Sequence, residues 1–112
     1  MSVAGSGGSD FQLRMLADAL ASGFAVADVG TWQVRWASRK FEQWFPAQGD
    51  LSLLARLPGL DEERARKRLA RGRAFPLQTE LRDGARTTVL KTTLKIVEIE
   101  GQQLLLVEVT YI

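Results

Sequence analysis

The stretch that most constrains this chain is its last, Gln102 to Ile112, reading QQLLLVEVTYI. It holds no Gly or Pro and is dense in leucine, β-branched and aromatic residues, the composition of a strand. Side chains alternate faces along a strand, so Leu104 and Leu106 point one way while Leu105, Val107, Val109 and Tyr111 point the other. Both faces are therefore apolar. A strand wetted on one face would alternate apolar with polar, so this one is expected at the centre of a sheet covered, at least in part, on both sides. A central strand that is also the last segment implies a domain excised from a longer protein, with an effector beyond Ile112.

A chain of 112 residues is long enough to bury one core without covalent staples. Residues 10–112 read as a single domain. Residues 1–9, MSVAGSGGS, read as a flexible linker or a cloning remnant. The residues that are missing narrow the chemistry further. With no Cys there is no disulfide, no thiolate metal site and no cysteine nucleophile. With no His the commonest zinc ligand, haem ligand and near-neutral general base are gone too. No apolar run approaches membrane-spanning length and no signal-peptide core is visible, which points to a cytoplasmic setting.

Along the chain, Ser9 or Asp10 can cap a helix over Phe11 to about Ser22, stopped by Gly23. Leu13, Leu16, Ala17 and Leu20 fall on one face of it, with Phe11 and Met15 off that stripe. This surplus of apolar surface makes Phe11, Leu13, Leu16 and Leu20 candidates for a homodimer interface. A strand is expected over Phe24–Val29, a turn at Gly30-Thr31, and a second strand over Trp32–Ala37 with Trp32, Val34 and Trp36 on one face. Ser38 can cap a short helix from Arg39 to Phe45, which Pro46 prevents from continuing. Asp50 is expected to start another short helix, Leu51–Leu57, ended by Pro58-Gly59.

Asp61 caps a third helix, acidic in its first turn and basic in its last, as the helix macrodipole favours. Three strands follow, Phe75 onward, Arg86–Glu98 and the final stretch, joined by turns at Asp83-Gly84 and Glu100-Gly101. The order helix, strand, strand, short helices and three-stranded meander defines an α+β fold. Its core is a five-stranded antiparallel sheet with the short helices inserted between strands two and three and one helix leading.

This order and these lengths resemble the PAS domain family. The family's opening pattern appears as Leu20-Ala21-Ser22-Gly23-Phe24-Ala25-Val26-Ala27-Asp28, Gly30, and Trp36-Ala37-Ser38-Arg39-Lys40-Phe41. Its closing pattern, an aliphatic strand ending Asp-Ile-Thr, appears as Leu105-Leu106-Val107-Glu108-Val109-Thr110. The likeness covers roughly 10–112 and rests on element order and several weak matches, none specific alone. Ser38 stands where the family usually has Asn, and Glu108 where it has Asp. The resemblance implies that the first and last strands are neighbours at the sheet centre and that a small cavity lies between sheet and inserted helices. It further implies a sensory or dimerisation module upstream of a kinase, cyclase or similar effector. Glu108 and Thr110 are then candidates for passing the signal out.

Phe41, Trp44, Leu54, Leu57, Phe75, Leu77 and Leu90 are the candidate cavity walls. The alternative is that these large side chains fill the space themselves, leaving a protein-only interaction or dimerisation scaffold. No cofactor is expected. A cysteine-adduct flavin and a His-ligated haem are excluded by composition, and what remains open is a non-covalent small ligand.

The chain is not expected to be an enzyme. Of its candidate acids, Asp61, Glu62 and Glu63 are explained as helix-start residues. Asp28 and Glu108 would be neighbours if the first and last strands adjoin, and one would then carry a raised pKa. Residues 61–73 carry six cations and three anions, a net +3 against +2 for the whole chain. That basic segment has no aromatic residue to stack on bases. It reads as a solvated face or a contact with an acidic part of the same protein, in preference to a nucleic-acid site.

Overall fold

The computed structural model describes residues 22–47, 49 and 52–111. The expected leading helix, and with it Phe11, Leu13, Leu16 and Leu20, lies outside them. Strands β1 (Gly23–Asp28) and β2 (Val34–Ala37) come first, followed by the short helices α1 (Arg39–Trp44), α2 (Leu53–Arg56) and α3 (Glu62–Ala70). Strands β3 (Phe75–Asp83), β4 (Arg86–Ile99) and β5 (Gln102–Tyr111) complete the sheet. The strand order is β2-β1-β5-β4-β3 and every pairing is antiparallel. The last strand is thus the middle one, and it adjoins the first.

The inner face of β5 is what the alternation demands. Leu105, Val107 and Val109 are fully buried, and the register sets them in rows across the sheet. Val107 lies between Ala25 and Leu94, and Val109 between Gly23 and Thr92. The helices cover this face, contributing Phe41, Phe45, Leu53, Leu57, Ala65 and Leu69 to one core. The residues of β1 on this face are Gly23, Ala25 and Ala27, small enough for α1 to lie close. A Cβ on Gly23 would stand 3.1 Å from the Phe41 backbone nitrogen and 3.1 Å from the Trp44 ring. On the outer face Leu104, Leu106, Glu108 and Thr110 are only half-buried.

Three local features differ from expectation. Trp32 does not start β2. Its φ is +62°, a left-handed conformation that costs a non-glycine residue about 1–2 kcal/mol, so the strand begins two residues later. The burial of Trp32 and the hydrogen bonds of its backbone offset that cost: its N–H donates to the Asp28 carbonyl at 2.8 Å and its carbonyl accepts from Leu53 at 3.0 Å.

Nor do Val34 and Trp36 share a face. The register passes from Val26↔Trp36 to Ala27↔Val34, skipping Arg35. This bulge sends Val34 toward the core and Trp36 to the other side. Finally, α2 starts at Leu53. Ser52 is held extended by a bridge to Gln33, and its hydroxyl caps the helix by accepting from Leu54 N–H at 3.1 Å.

The hairpin between β4 and β5 sets the register of the central strand. Ile99 pairs with Gln102, and the two residues between them, Glu100 (φ +52°) and Gly101 (φ +77°), are both left-handed. That is the signature of the two-residue turn whose twist matches the strands it joins.

Ser38 is the fastener between sheet and helices. It is fully buried. Its hydroxyl accepts from Phe24 N–H at 3.0 Å and from Phe41 N–H at 3.3 Å, while its own N–H donates to the Phe24 carbonyl at 2.8 Å. One side chain therefore closes the end of β1 and caps α1. Ser38→Ala leaves two amides unpaired at a water-poor site and is expected to cost about 1–3 kcal/mol. A urea titration would read this as a lower midpoint with unchanged slope.

Candidate functional site

Of the expected cavity walls, Phe41, Leu57 and Leu90 meet in the core with no more than 1% of their surface exposed, and Phe75 joins them at 9%. Trp44 and Leu77 pack against that core from its margin. Leu54 does not join them. It lies on the outer side of α2, 41% exposed. The space between sheet and helices is occupied by large side chains, among them Trp32, Phe41, Leu53, Leu57, Leu90 and Leu94. Openings lie at its edges.

One such edge is formed by α1, α2 and β3. Trp44, Phe45, Pro46, Ala55, Arg56, Pro58 and Leu81 line a cleft of about 340 Å³. Arg56 is its unexpected member, because the guanidinium is inside the protein, with 6% of the residue exposed. Its Nε donates to the Phe45 carbonyl at 3.0 Å, and its Cζ stacks 5.1 Å from the centre of the Phe41 ring. Its Nη2 is sealed from solvent and has no hydrogen-bond partner among the described residues. Burial lowers its pKa, and the carboxylate of Glu42 acts in the opposite sense. The sequence did carry a signal for this residue. Arg56 falls three positions after Leu53 and next to Leu57, on the buried face of its helix.

The β1–β2 loop is a second constructed region. Asp28 Oδ1 accepts from the N–H groups of Gly30 at 2.9 Å and Thr31 at 3.0 Å, and its Oδ2 meets Arg35 Nη2 at 2.8 Å. The Thr31 and Gly30 amides, with help from the Arg35 charge, hold the Asp28 carboxyl below its ordinary value of 3.8. The expected pairing of Asp28 with Glu108 does not occur. Their strands do adjoin, but the register puts Glu108 opposite Phe24 and Asp28 opposite Leu104, about 13 Å apart along the sheet. No carboxylate dyad forms, and the Asp28 pKa moves down where an approach to Glu108 would raise it.

Arg66 clasps the same loop from α3. It donates to Glu62 Oε2 at 2.7 Å and to the Gly30 carbonyl at 3.1 Å, and it stacks 4.7 Å over the Trp32 ring. It is thus more than part of a solvated face. Five other cations of that segment, Arg64, Lys67, Arg68, Arg71 and Arg73, do line an open groove of about 480 Å³ between α3 and β3. Glu108 and Thr110 lie together on the outer face of β5. Glu108 is opposite Phe24 and Thr93, and Thr110 opposite Lys91. Among the described residues no group of three or more acidic, His or Cys side chains could hold a metal, and no helix is long and apolar enough to cross a membrane.

No family model matches the sequence, and no curated protein matches it. Solved structures do. The PAS domain of an HTR-like protein from Haloarcula marismortui superposes with a TM-score of 0.66 at 18% identity, covering 93% of this chain and 92% of that one. The fold is that of a PAS domain. The PAS domain of nitrogen regulation protein NR(II) from Vibrio parahaemolyticus is similar with a TM-score of 0.63 at 19% identity, over 88% of this chain and 96% of that. A PAS domain from a two-component sensor histidine kinase is similar with a TM-score of 0.59 at 13% identity, over 96% and 99%. Ser38, on the PAS helix that follows β2, retains the capping role expected of that position.

The Asp28 geometry gives a pH signature. A carboxyl whose folded pKa is depressed contributes stability above its unfolded pKa of about 3.9 and loses it as pH falls through the folded value. Asp28→Asn is therefore expected to be less stable than the parent at pH 6, with the gap narrowing as pH drops below about 4. Thermal melts at both pH values measure the gap.

Proposed function

We propose that this PAS domain is a regulatory module of a larger signalling protein, which dimerises and passes a change of state to an effector following β5. The observation that carries this reading is the placement of β5. It is the central strand of a fold shared with a PAS domain from a two-component sensor histidine kinase and one from nitrogen regulation protein NR(II). Its outer face carries half-buried Leu104 and Leu106 beside Glu108 and Thr110, so whatever covers the sheet touches the strand nearest the effector. The stimulus acts by population shift. It favours one arrangement of the inserted helices or of the dimer by its difference in affinity for the two.

A second reading is favoured by one specific observation, the burial of the expected cavity walls. Phe41, Leu57 and Leu90 are in the core with no more than 1% of their surface exposed. On that reading the stimulus is a protein partner and the domain is a dimerisation scaffold. Dimerisation is common to both readings, with Phe11, Leu13, Leu16 and Leu20 of the leading segment as the contact.

Native mass spectrometry, paired with the denatured mass, tests the dimer and the ligand together. A dimer is expected for the parent chain and a monomer for Leu16→Asp/Leu20→Asp. An unchanged dimer in the double variant would remove the leading segment from the interface, and a monomeric parent chain would remove dimerisation from the proposal. Extra mass lost on denaturation identifies a ligand-carrying sensor, and a bare dimer supports the scaffold.

A further inference from the structure

A guanidinium offers five N–H donors. The described residues account for one donor of Arg56, the Nε bonded to the Phe45 carbonyl. Among the described residues Nη2 is buried and unpartnered, and Glu42 is the one acid that acts on its charge. Glu42 is itself exposed, so its charge is screened by water. Burying a cation without a close counter-charge is strongly unfavourable, whereas a hydrogen-bonded anion offsets much of that cost. Arg56 is also a wall of the cleft formed by α1, α2 and β3, and an anion entering there reaches the sealed Nη2 by displacing the side chains that cover it. The remaining walls are almost entirely apolar, being Trp44, Phe45, Pro46, Ala55, Pro58 and Leu81. The cleft volume, about 340 Å³, lies in the range of small-molecule sites.

We propose that this cleft binds a small monocarboxylate with an apolar body, the Arg56 guanidinium taking the carboxylate and the rings of Trp44, Phe45, Pro46 and Pro58 taking the body. One buried cation matches one carboxylate, whose two oxygens suit the planar fork of a guanidinium. A phosphate dianion would bring a second charge, and among the described residues no other cation lines the cleft. The inference names the ligand class for the sensor form of the module and rests on that reading. Occupancy would act on α1 through Trp44 and Phe45. The Trp44 ring packs edge-on against Tyr111 of β5, 5.2 Å between centroids, so a ligand in the cleft touches a residue that touches the end of the central strand.

The test uses the full chain and four probes, benzoate and hexanoate with their neutral amides, benzamide and hexanamide, at constant ionic strength. Two-dimensional NMR follows the Trp44 indole N–H. At least one acid is expected to shift it saturably with a Kd of about 1 mM or tighter, and its amide to bind at least about tenfold more weakly. Arg56→Met, which keeps the bulk and removes the charge, is expected to abolish the difference between acid and amide. Arg56→Lys, with the charge but no fork, is expected to fall between.

Equal responses to acid and amide in the parent chain would overturn the proposal, and so would the absence of a saturable shift with either acid. Those two outcomes stand whether or not the variants fold. An acid response surviving in folded Arg56→Met would overturn it as well. The dimer measurement is independent of all these outcomes, so the loss of the carboxylate site and the loss of the module reading are separately visible.

Discussion

The insertion of β5 between β1 and β4 is the constraint on which the rest of the structure depends. The β1–β2 pair and the β3–β4 hairpin make no strand pairing with each other, and each half reaches the other through β5. Hydrogen bonding on both edges and burial of Leu105, Val107 and Val109 make that strand the seam of the molecule. The helices rest on the seam. Gly23, Ala25 and Ala27 let α1 approach, and Ser38 fixes its first turn to β1 with a single buried hydroxyl. Closing such a sheet requires pairing residues some eighty positions apart. Chain-closure entropy opposes that step until the apolar rows meet.

Much of this was legible in the sequence because it depends on period and on punctuation. The two-sided apolar run at 104–111 identified the central strand. Ser38 and Asp61 announced their helices, and the two hairpin turns were signalled by Asp83-Gly84 and Glu100-Gly101. What was not legible depends on tertiary contact. Nothing local marks Trp32 as left-handed. That backbone is hydrogen-bonded by Asp28 and Leu53 while Arg66 stacks on the ring, partners that come from three separate parts of the chain. The Val34/Trp36 bulge likewise follows from pairing with β1, and strict alternation put both residues on one face. The carboxylate pair failed for a similar reason. Strand adjacency was anticipated, but the register that separates Asp28 from Glu108 follows from the pairing of β1 with β5, which aligns Gly23 and Ala25 with Val109 and Val107.

The candidate site divides in the same way. The large residues of the inserted helices and of β3 and β4 were recognisable as one cluster, and Phe41, Leu57, Phe75 and Leu90 do meet in the core. Leu54 faces outward because Leu53 and Leu57 take the buried face of α2. That same face carries Arg56, buried with its Nε on the Phe45 carbonyl and its guanidinium against the Phe41 ring. The cleft and the clasped loop lie at the edges of the buried core. The Arg56 cleft lies at one edge, the Arg66 clasp on the β1–β2 loop at another, and the outer face of β5 opposite both.

Amide hydrogen exchange along β5 tests the central claim most directly. If β5 is the seam, the amides of Leu105, Val107 and Val109 exchange only through global unfolding, with protection equal to the unfolding free energy measured by denaturant. Exchange there at the rate of a fraying chain end, while β3 and β4 stay protected, would contradict the account.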